Sequence, residues 1–276
     1  MNLVIQGADI ATPDLKTLAK LAGASAIEAI TPTAFRLRNA VDNSGIAPLC
    51  EAAKLDYAFI PDERKLAGMR LCVMDMDSTL ITIECIDEIA DMQGLKPQVA
   101  AITGAAMRGE LDFQQSLRRR VALLKGLDAS ALQRVYDERL KLSPGAEVML
   151  RQFRQLGIKT LLLSGGFTFF TERLKQRLAL DYTRSNTLEI VDGKLSGEVL
   201  GDIVDADVKR AALLQVRDEL GIGNAQIIGL GDGANDLKFM AEAGVSVAYH
   251  AKPVVRAQAT HALNYVGLDG VLNLFG

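Results

Sequence analysis

The sequence predicts an α/β protein built on a doubly wound parallel sheet, with a helical cap inserted into it and a small α/β module ahead of it. Three observations carry this expectation. From Met69 onward, short apolar runs alternate with stretches of helical pattern, the signature of parallel strands joined by crossover helices. The first run is separated from the second by far more than the roughly one dozen residues that a crossover needs. Residues 1–66 repeat the alternation on a smaller scale.

In the leading module, Leu3-Val4-Ile5 reads as a strand and residues 14–21 as a helix. Thr12-Pro13 supplies the start signal, with Thr12 as N-cap and Pro13 in the first helical position. Strands over 26–31 and 34–37, a helix over 47–54 and a strand over 57–60 complete the module. Pro61 to Arg64 is charged and opens with proline, which reads as a linker. The main domain offers Leu71–Met74, Lys159–Leu163, Gln226–Leu230, Val245–Ala248 and Ala262–Val266 as strands, each short and apolar, as buried parallel strands are. Residues 83–142 form the insertion, with helices over 114–124 and 129–140, and Ser143-Pro144-Gly145 marks its end. The core is then 67–82 and 143–276. An insertion straight after the first strand lies over the carboxyl edge of the sheet, where such folds bind ligands, so 83–142 is a candidate lid. Asp192-Gly193, between two short runs, is a hairpin signal.

Composition narrows the function classes. The 276 residues allow about two domains. A net charge of -3 gives no pull towards nucleic acid or anionic membrane, and 5 Tyr, 9 Phe and no Trp leave little for base stacking. The first residues lack a basic stretch before an apolar one, and no apolar segment approaches the ~20 residues that span a bilayer. A cytoplasmic protein is expected. Cys50, Cys72 and Cys85 are widely spaced and read as free thiols filling apolar space. The histidines are His250 and His261 alone, so no His-rich metal site is available.

Three strand tips carry unusual residues. Asp75 and Asp77 follow Leu71–Met74; placed two apart on a strand, they would point the same way and repel unless a cation or proton intervened. Ser164-Gly165-Gly166 follows Thr160–Leu163 and offers a hydroxyl and approachable backbone N–H groups to an anion. Gly231-Asp232-Gly233-Ala234-Asn235-Asp236 follows Ile227–Leu230. Lys209 lies between the second and third, where a helix begins. Tips of one parallel sheet converge, so carboxylates from the first and third make an all-oxygen site suited to Mg²⁺. A cation, a hydroxyl, a lysine and free N–H groups around one carboxylate describe phosphoryl transfer, with the carboxylate as nucleophile. Gly229 to Ala234 also fits a dinucleotide-binding fingerprint, but Asp232 and Asp236 would place negative charge where a pyrophosphate approaches.

These residues resemble the four motifs of the haloacid dehalogenase superfamily of phosphohydrolases, in order and over roughly residues 69–276. The resemblance implies a HAD-like core in which Asp75 is the nucleophile and Asp77 the general acid and base. It implies Mg²⁺ held by Asp75, the backbone carbonyl of Asp77 and Asp232, with Asp236 behind them. Ser164, Gly165 and Lys209 would hold the phosphoryl oxygens, and Asn235 would support them. Within the superfamily, Asp75 to Thr79 followed by Glu84, the helical insert with Met107, Phe113 and Arg120, and the stretch Leu163 to Phe167 resemble members that act on O-phosphoserine. Glu84 would then pair with the substrate ammonium and Arg120 with its carboxylate, while Met107 and Phe113 wall off water. The resemblance implies the last step of serine biosynthesis, on a small-molecule substrate, as monomer or homodimer. Residues 1–66 are compatible with a shortened ACT-type module. Two alternatives stay open: the same chemistry on another phosphomonoester or an acceptor such as homoserine, and a non-catalytic sensor that keeps the fold. A sensor has no use for Asp77.

Overall fold

A computed structural model describes residues 1–276. The leading residues form β1 (Asn2–Gln6), α1 (Thr12–Leu21), β2 (Ala26–Thr31), β3 (Ala34–Arg38), α2 (Ile46–Ala52) and β4 (Asp56–Ile60). The four strands pair antiparallel in the order β2-β3-β1-β4, a β-α-β-β-α-β arrangement of the ferredoxin-like kind. Alternate strand residues face one side. Leu3, Ile5 and Leu37 therefore pack with Leu15, Leu18, Ile46 and Cys50 from the two helices in one apolar cluster.

Two expectations change here. Thr12 is the first helical residue rather than the cap; the cap position is Ala11, in extended conformation and without a side-chain bond. Pro13 is tolerated one position further in because the first-turn N–H groups lack partners anyway. The segment read as a linker is also tied down. The Arg64 amide donates to the Pro61 carbonyl, Arg64 Nη1 lies 2.7 Å from His261 Nε2, and Asp62 accepts a 2.6 Å bond from Asn2.

The remaining strands are β5 (Leu71–Asp75), β6 (Lys159–Phe167), β7 (Tyr182–Val191), β8 (Lys194–Leu200), β9 (Ile227–Gly231), β10 (Val245–Tyr249) and β11 (His261–Leu263). Their order is β11-β10-β9-β5-β6-β7-β8. β5, β9 and β10 are buried at every position, as the continuous apolar runs require. The hairpin signal adds an edge: β8 runs antiparallel to β7, and Asp192 (φ 50°) with Gly193 (φ 76°) makes the two-residue turn in which both φ angles are positive. The parallel sheet thus becomes a mixed one.

The helices after β5 are α3 (Cys85–Asp91), α4 (Lys96–Met107), α5 (Phe113–Ala122), α6 (Ser130–Glu138), α7 (Ala146–Gln155), α8 (Thr168–Leu178), α9 (Ala206–Glu219), α10 (Leu237–Met240) and α11 (Pro253–Arg256). The insertion contains α3 and α4 besides the two expected helices; alanines and Gly104 blur the apolar period of α4. Its stems meet where Ile81 pairs with Leu142. Contacts group the chain into two compact units, one of Met1–Cys72, Ser143–Lys159 and Ile222–Gly276, the other of Val73–Leu142 and Thr160–Gly221. The helical insertion, β6 to β8 and α9 fall in the second. No helix is long and apolar enough to cross a membrane.

Candidate active site

β5 delivers Asp75 to a buried tip, where the residue is 5% exposed. The chain then leaves strand geometry. Met76–Leu80 is a wide turn in which Ser78 takes a left-handed conformation, φ 56°. Asp75 and Asp77 consequently have different partners. Asp75 forms an ion pair with Lys209 Nζ. Asp77 Oδ1 accepts a 2.8 Å bond from the Cys85 amide, and its Oδ2 a 3.3 Å bond from the Ser164 hydroxyl. Burial pushes the Asp77 carboxyl above its usual range, partly offset by the Cys85 amide and thiol, Lys209 and Ser164.

Lys209 is fully buried, which excludes a solvated surface role. It sits in the first turn of α9, whose N-cap, Asp205, accepts from the Asp207 and Val208 amides. Ser164 is fully buried and its hydroxyl accepts from the Gly166 amide at 2.8 Å. Side chains crowd both glycines. A β-carbon at Gly165 would stand 2.8 Å from the Phe113 ring, and one at Gly166 would stand 2.8 Å from Asp77 Oδ2.

The insertion contributes the other expected residues unequally. Glu84 is the N-cap of α3 but makes no side-chain cap bond; its carboxylate accepts instead from Ser78 Oγ at 2.8 Å. Arg120 is partly buried while Arg118 and Arg119 are exposed. Burial lowers the Arg120 pKa, and Asp87, Glu84 and Asp77 pull it back up, so its guanidinium lies within electrostatic reach of three carboxylates. Phe113 opens α5 behind a capping box of Asp112 and Gln115. Met107, at the end of α4, is 74% exposed and closes no wall here.

The third tip is built on Asp236, which is fully buried and accepts a 3.1 Å bond from the Gly233 amide. Asp232 is partly exposed and its carbonyl accepts from the Lys252 amide. Asn235, half-buried, lies over Gly233, where a β-carbon would be 2.3 Å from its Oδ1. The Asp236 side chain crowds Gly231 in the same way, 2.6 Å from where a β-carbon would stand. Ligand oxygens of Asp232 and Asp236 lie within 4.8 Å of each other. An all-carboxylate set of this kind fits a hard divalent cation.

Two positioning groups escaped the sequence reading. The Cys85 amide is backbone and leaves no trace in residue type. Asn186 is 1% exposed; it donates to the Gly165 carbonyl at 2.8 Å and accepts from the Val204 amide at 2.8 Å. Flanked by Arg184, Ser185 and Thr187, it gave no signal in the sequence.

A family profile described as haloacid dehalogenase-like hydrolase matches residues 69–244, and the chain belongs to that family. A second profile, for a domain of unknown function (DUF4072), matches residues 3–45. A curated phosphoserine phosphatase from Polaromonas is 55% identical over 215 residues, covering 76% of this chain and 91% of its own. The crystal structure of a probable phosphoserine phosphatase from Vibrio cholerae is 40% identical with a TM-score of 0.87, over 99% of this chain and 85% of its own. A solved phospho-aspartyl intermediate analogue of phosphoserine phosphatase is 35% identical with a TM-score of 0.71, over 75% of this chain and 99% of its own. Within the family, then, the chain lies in the phosphoserine phosphatase branch.

Proposed function

We propose that this enzyme hydrolyses O-phospho-L-serine to L-serine and phosphate through an aspartyl-phosphate on Asp75, as the last step of serine synthesis. The observation that carries the reading is the unlike setting of the two carboxylates: Asp75 lies against a buried ammonium, and Asp77 is desolvated among neutral donors. An Asp75 oxygen attacks phosphorus and the bond to the serine oxygen breaks. Asp77, whose raised pKa lets it hold a proton, gives that proton to the departing oxygen. The Asp77 carboxylate then takes a proton from the water that attacks the acyl phosphate, which frees phosphate and restores Asp75. Ser164, the Gly165 amide and Lys209 hold the phosphoryl oxygens as charge develops, and Asn235 supports them. Asp75, Asp232 and the Asp77 carbonyl would hold Mg²⁺, with Asp236 behind, and the ion would neutralise charge on carboxylate and phosphoryl oxygens.

For the amino-acid end, Glu84 takes the ammonium and Arg120 the carboxylate, and Phe113 covers the apolar side. Met107 joins that wall only if α4 moves inward. The division of labour we propose is a module over 1–66, a core over 67–82 and 143–276, and a cap over 83–142. Three buried free cysteines agree with a cytoplasmic setting. A panel of phosphomonoesters, assayed with and without Mg²⁺, tests the reading. Phosphoserine should be the preferred substrate, and Asp75→Asn should abolish its turnover. Activity that survives that substitution would sink the mechanism.

A further inference from the structure

Asp205 makes bonds in two directions. Its Oδ1 accepts the amides of Asp207 (3.0 Å) and Val208 (3.1 Å), the first-turn donors of α9. Its Oδ2 accepts a 2.8 Å bond from Gln114 Nε2, which belongs to α5 of the insertion. One carboxylate therefore ties the start of the lysine-bearing helix to the start of the cap helix. On α9 the Asp205 carbonyl also accepts the amide of Lys209 itself at 2.9 Å. On α5 the neighbours of Gln114 are Phe113, against Gly165, and, two turns on, Arg120. The chain just past the C-terminus of α5 is held separately. The Gly126 amide donates to Leu195, and the Leu195 amide donates to Leu127, both at 2.8 Å. With that end fixed on β8, the Gln114–Asp205 bond sets where the first turn of α5 rests.

We propose that Gln114 is a positioning residue that couples the phosphate-binding helix α9 to the cap helix that recognises the amino-acid end of the substrate. The proposal rests on the substrate reading above. Gln114 touches no reacting atom. It acts through Asp205 on Phe113 and Arg120, so its loss should fall on substrates that need those two side chains and spare those that need only phosphate binding.

Gln114 is exposed, so Gln114→Ala should fold normally. Asp205→Ser keeps an N-cap acceptor for α9 but has no second oxygen for Gln114. On phosphoserine, Gln114→Ala should raise KM about fivefold at nearly unchanged kcat, the size of one ordinary hydrogen bond. Turnover of p-nitrophenyl phosphate should change less than twofold. Asp205→Ser should give a similar loss, and the double variant should be no worse than either single one. Hydrogen exchange reads the same latch without substrate: amides in the first turn of α5 should exchange faster in each single variant and no faster in the double. Equal losses on both substrates, multiplying losses in the double variant, or unchanged exchange in α5 would each overturn the latch. A wild-type enzyme that ignores phosphoserine but shows coupled exchange would reject the substrate and retain the latch.

Discussion

Replacing Lys209 by methionine should destabilise the metal-free enzyme severely, and a second substitution should undo much of the damage. Lys209 is fully buried and Asp75 is 5% exposed, so their ion pair is shielded from water. Methionine keeps most of the volume of the lysine stem but removes the cation. Asp75 then keeps its charge in a buried site from which the ammonium has gone. Stripping one partner from a buried pair costs about 3–5 kcal/mol. At roughly 2–4 °C per kcal/mol for a chain of this size, Tm should fall by about 6–20 °C. The assay is thermal unfolding in the presence of a chelator. Adding Asp75→Asn to Lys209→Met removes the stranded charge, so the double variant should recover more than half of the loss. Asp75→Asn alone should cost less than Lys209→Met alone, because the lysine it leaves still lies within electrostatic reach of the Asp77 carboxyl. If Lys209→Met stays within about 1 kcal/mol of the wild type in chelator, the pair is not what compensates Asp75 and the electrostatic reasoning fails.

Other consequences are simpler to state. Arg120→Ala should reduce kcat/KM on phosphoserine by about 100-fold, the rough size of a lost buried charge-pair partner, and on an aryl phosphate by only a few-fold; comparing the two substrates checks it. Gly165→Ala should push the Phe113 ring aside, since the added carbon would lie 2.8 Å from it, and KM for phosphoserine should rise at least several-fold while the unfolding midpoint barely moves. His261 concerns stability. Burial, then nearby Arg64, lower its pKa from 6.5 to about 4. An unfolded chain protonates near pH 6.5 and the folded one only near 4, so stability falls as pH drops through that window and the whole penalty is present below it. At pH 4.5 this amounts to roughly 2–3 kcal/mol; urea unfolding of His261→Gln should show a correspondingly smaller loss between pH 7 and pH 4.5 than the wild type.

The chemistry was legible because it sits at strand tips, where a local apolar run predicts both the strand and the end that carries the site. Asp75, Ser164 and Asp232 needed no knowledge of distant contacts to be singled out. What escaped was of two kinds. Some groups have no signature in residue type: the Cys85 amide on Asp77 is backbone, and Ser78 holds Glu84 only because of a left-handed φ. Other features depend on packing between segments far apart in sequence. Lys209 finds Asp75 across 134 positions, and nothing local separates it from a surface lysine. β6 was expected to stop at Leu163, with Ser164-Gly165-Gly166 following it; it runs on to Phe167 with a register shift, and Asn186 of β7 secures the Gly165 carbonyl. Met107 shows the limit of assigning a wall from sequence alone, because where it stands depends on the placement of the whole of α4.

The like-charge problem of Asp75 and Asp77 is resolved in the backbone before any ion enters. On a continued strand both carboxylates would share one volume, and both would press on the same cation. Ending β5 at Asp75, with Asp77 at φ -66° and ψ 136° and Ser78 at φ 56°, sends the second carboxylate to neutral donors at the start of α3 and at Ser164. The same turn brings Ser78 to Glu84. The residues proposed as nucleophile, as general acid and as partner of the substrate ammonium thus depend on one five-residue segment. Substitutions that straighten Met76–Leu80 should therefore lose catalysis and substrate choice together, whereas substitutions in α5 should lose choice alone.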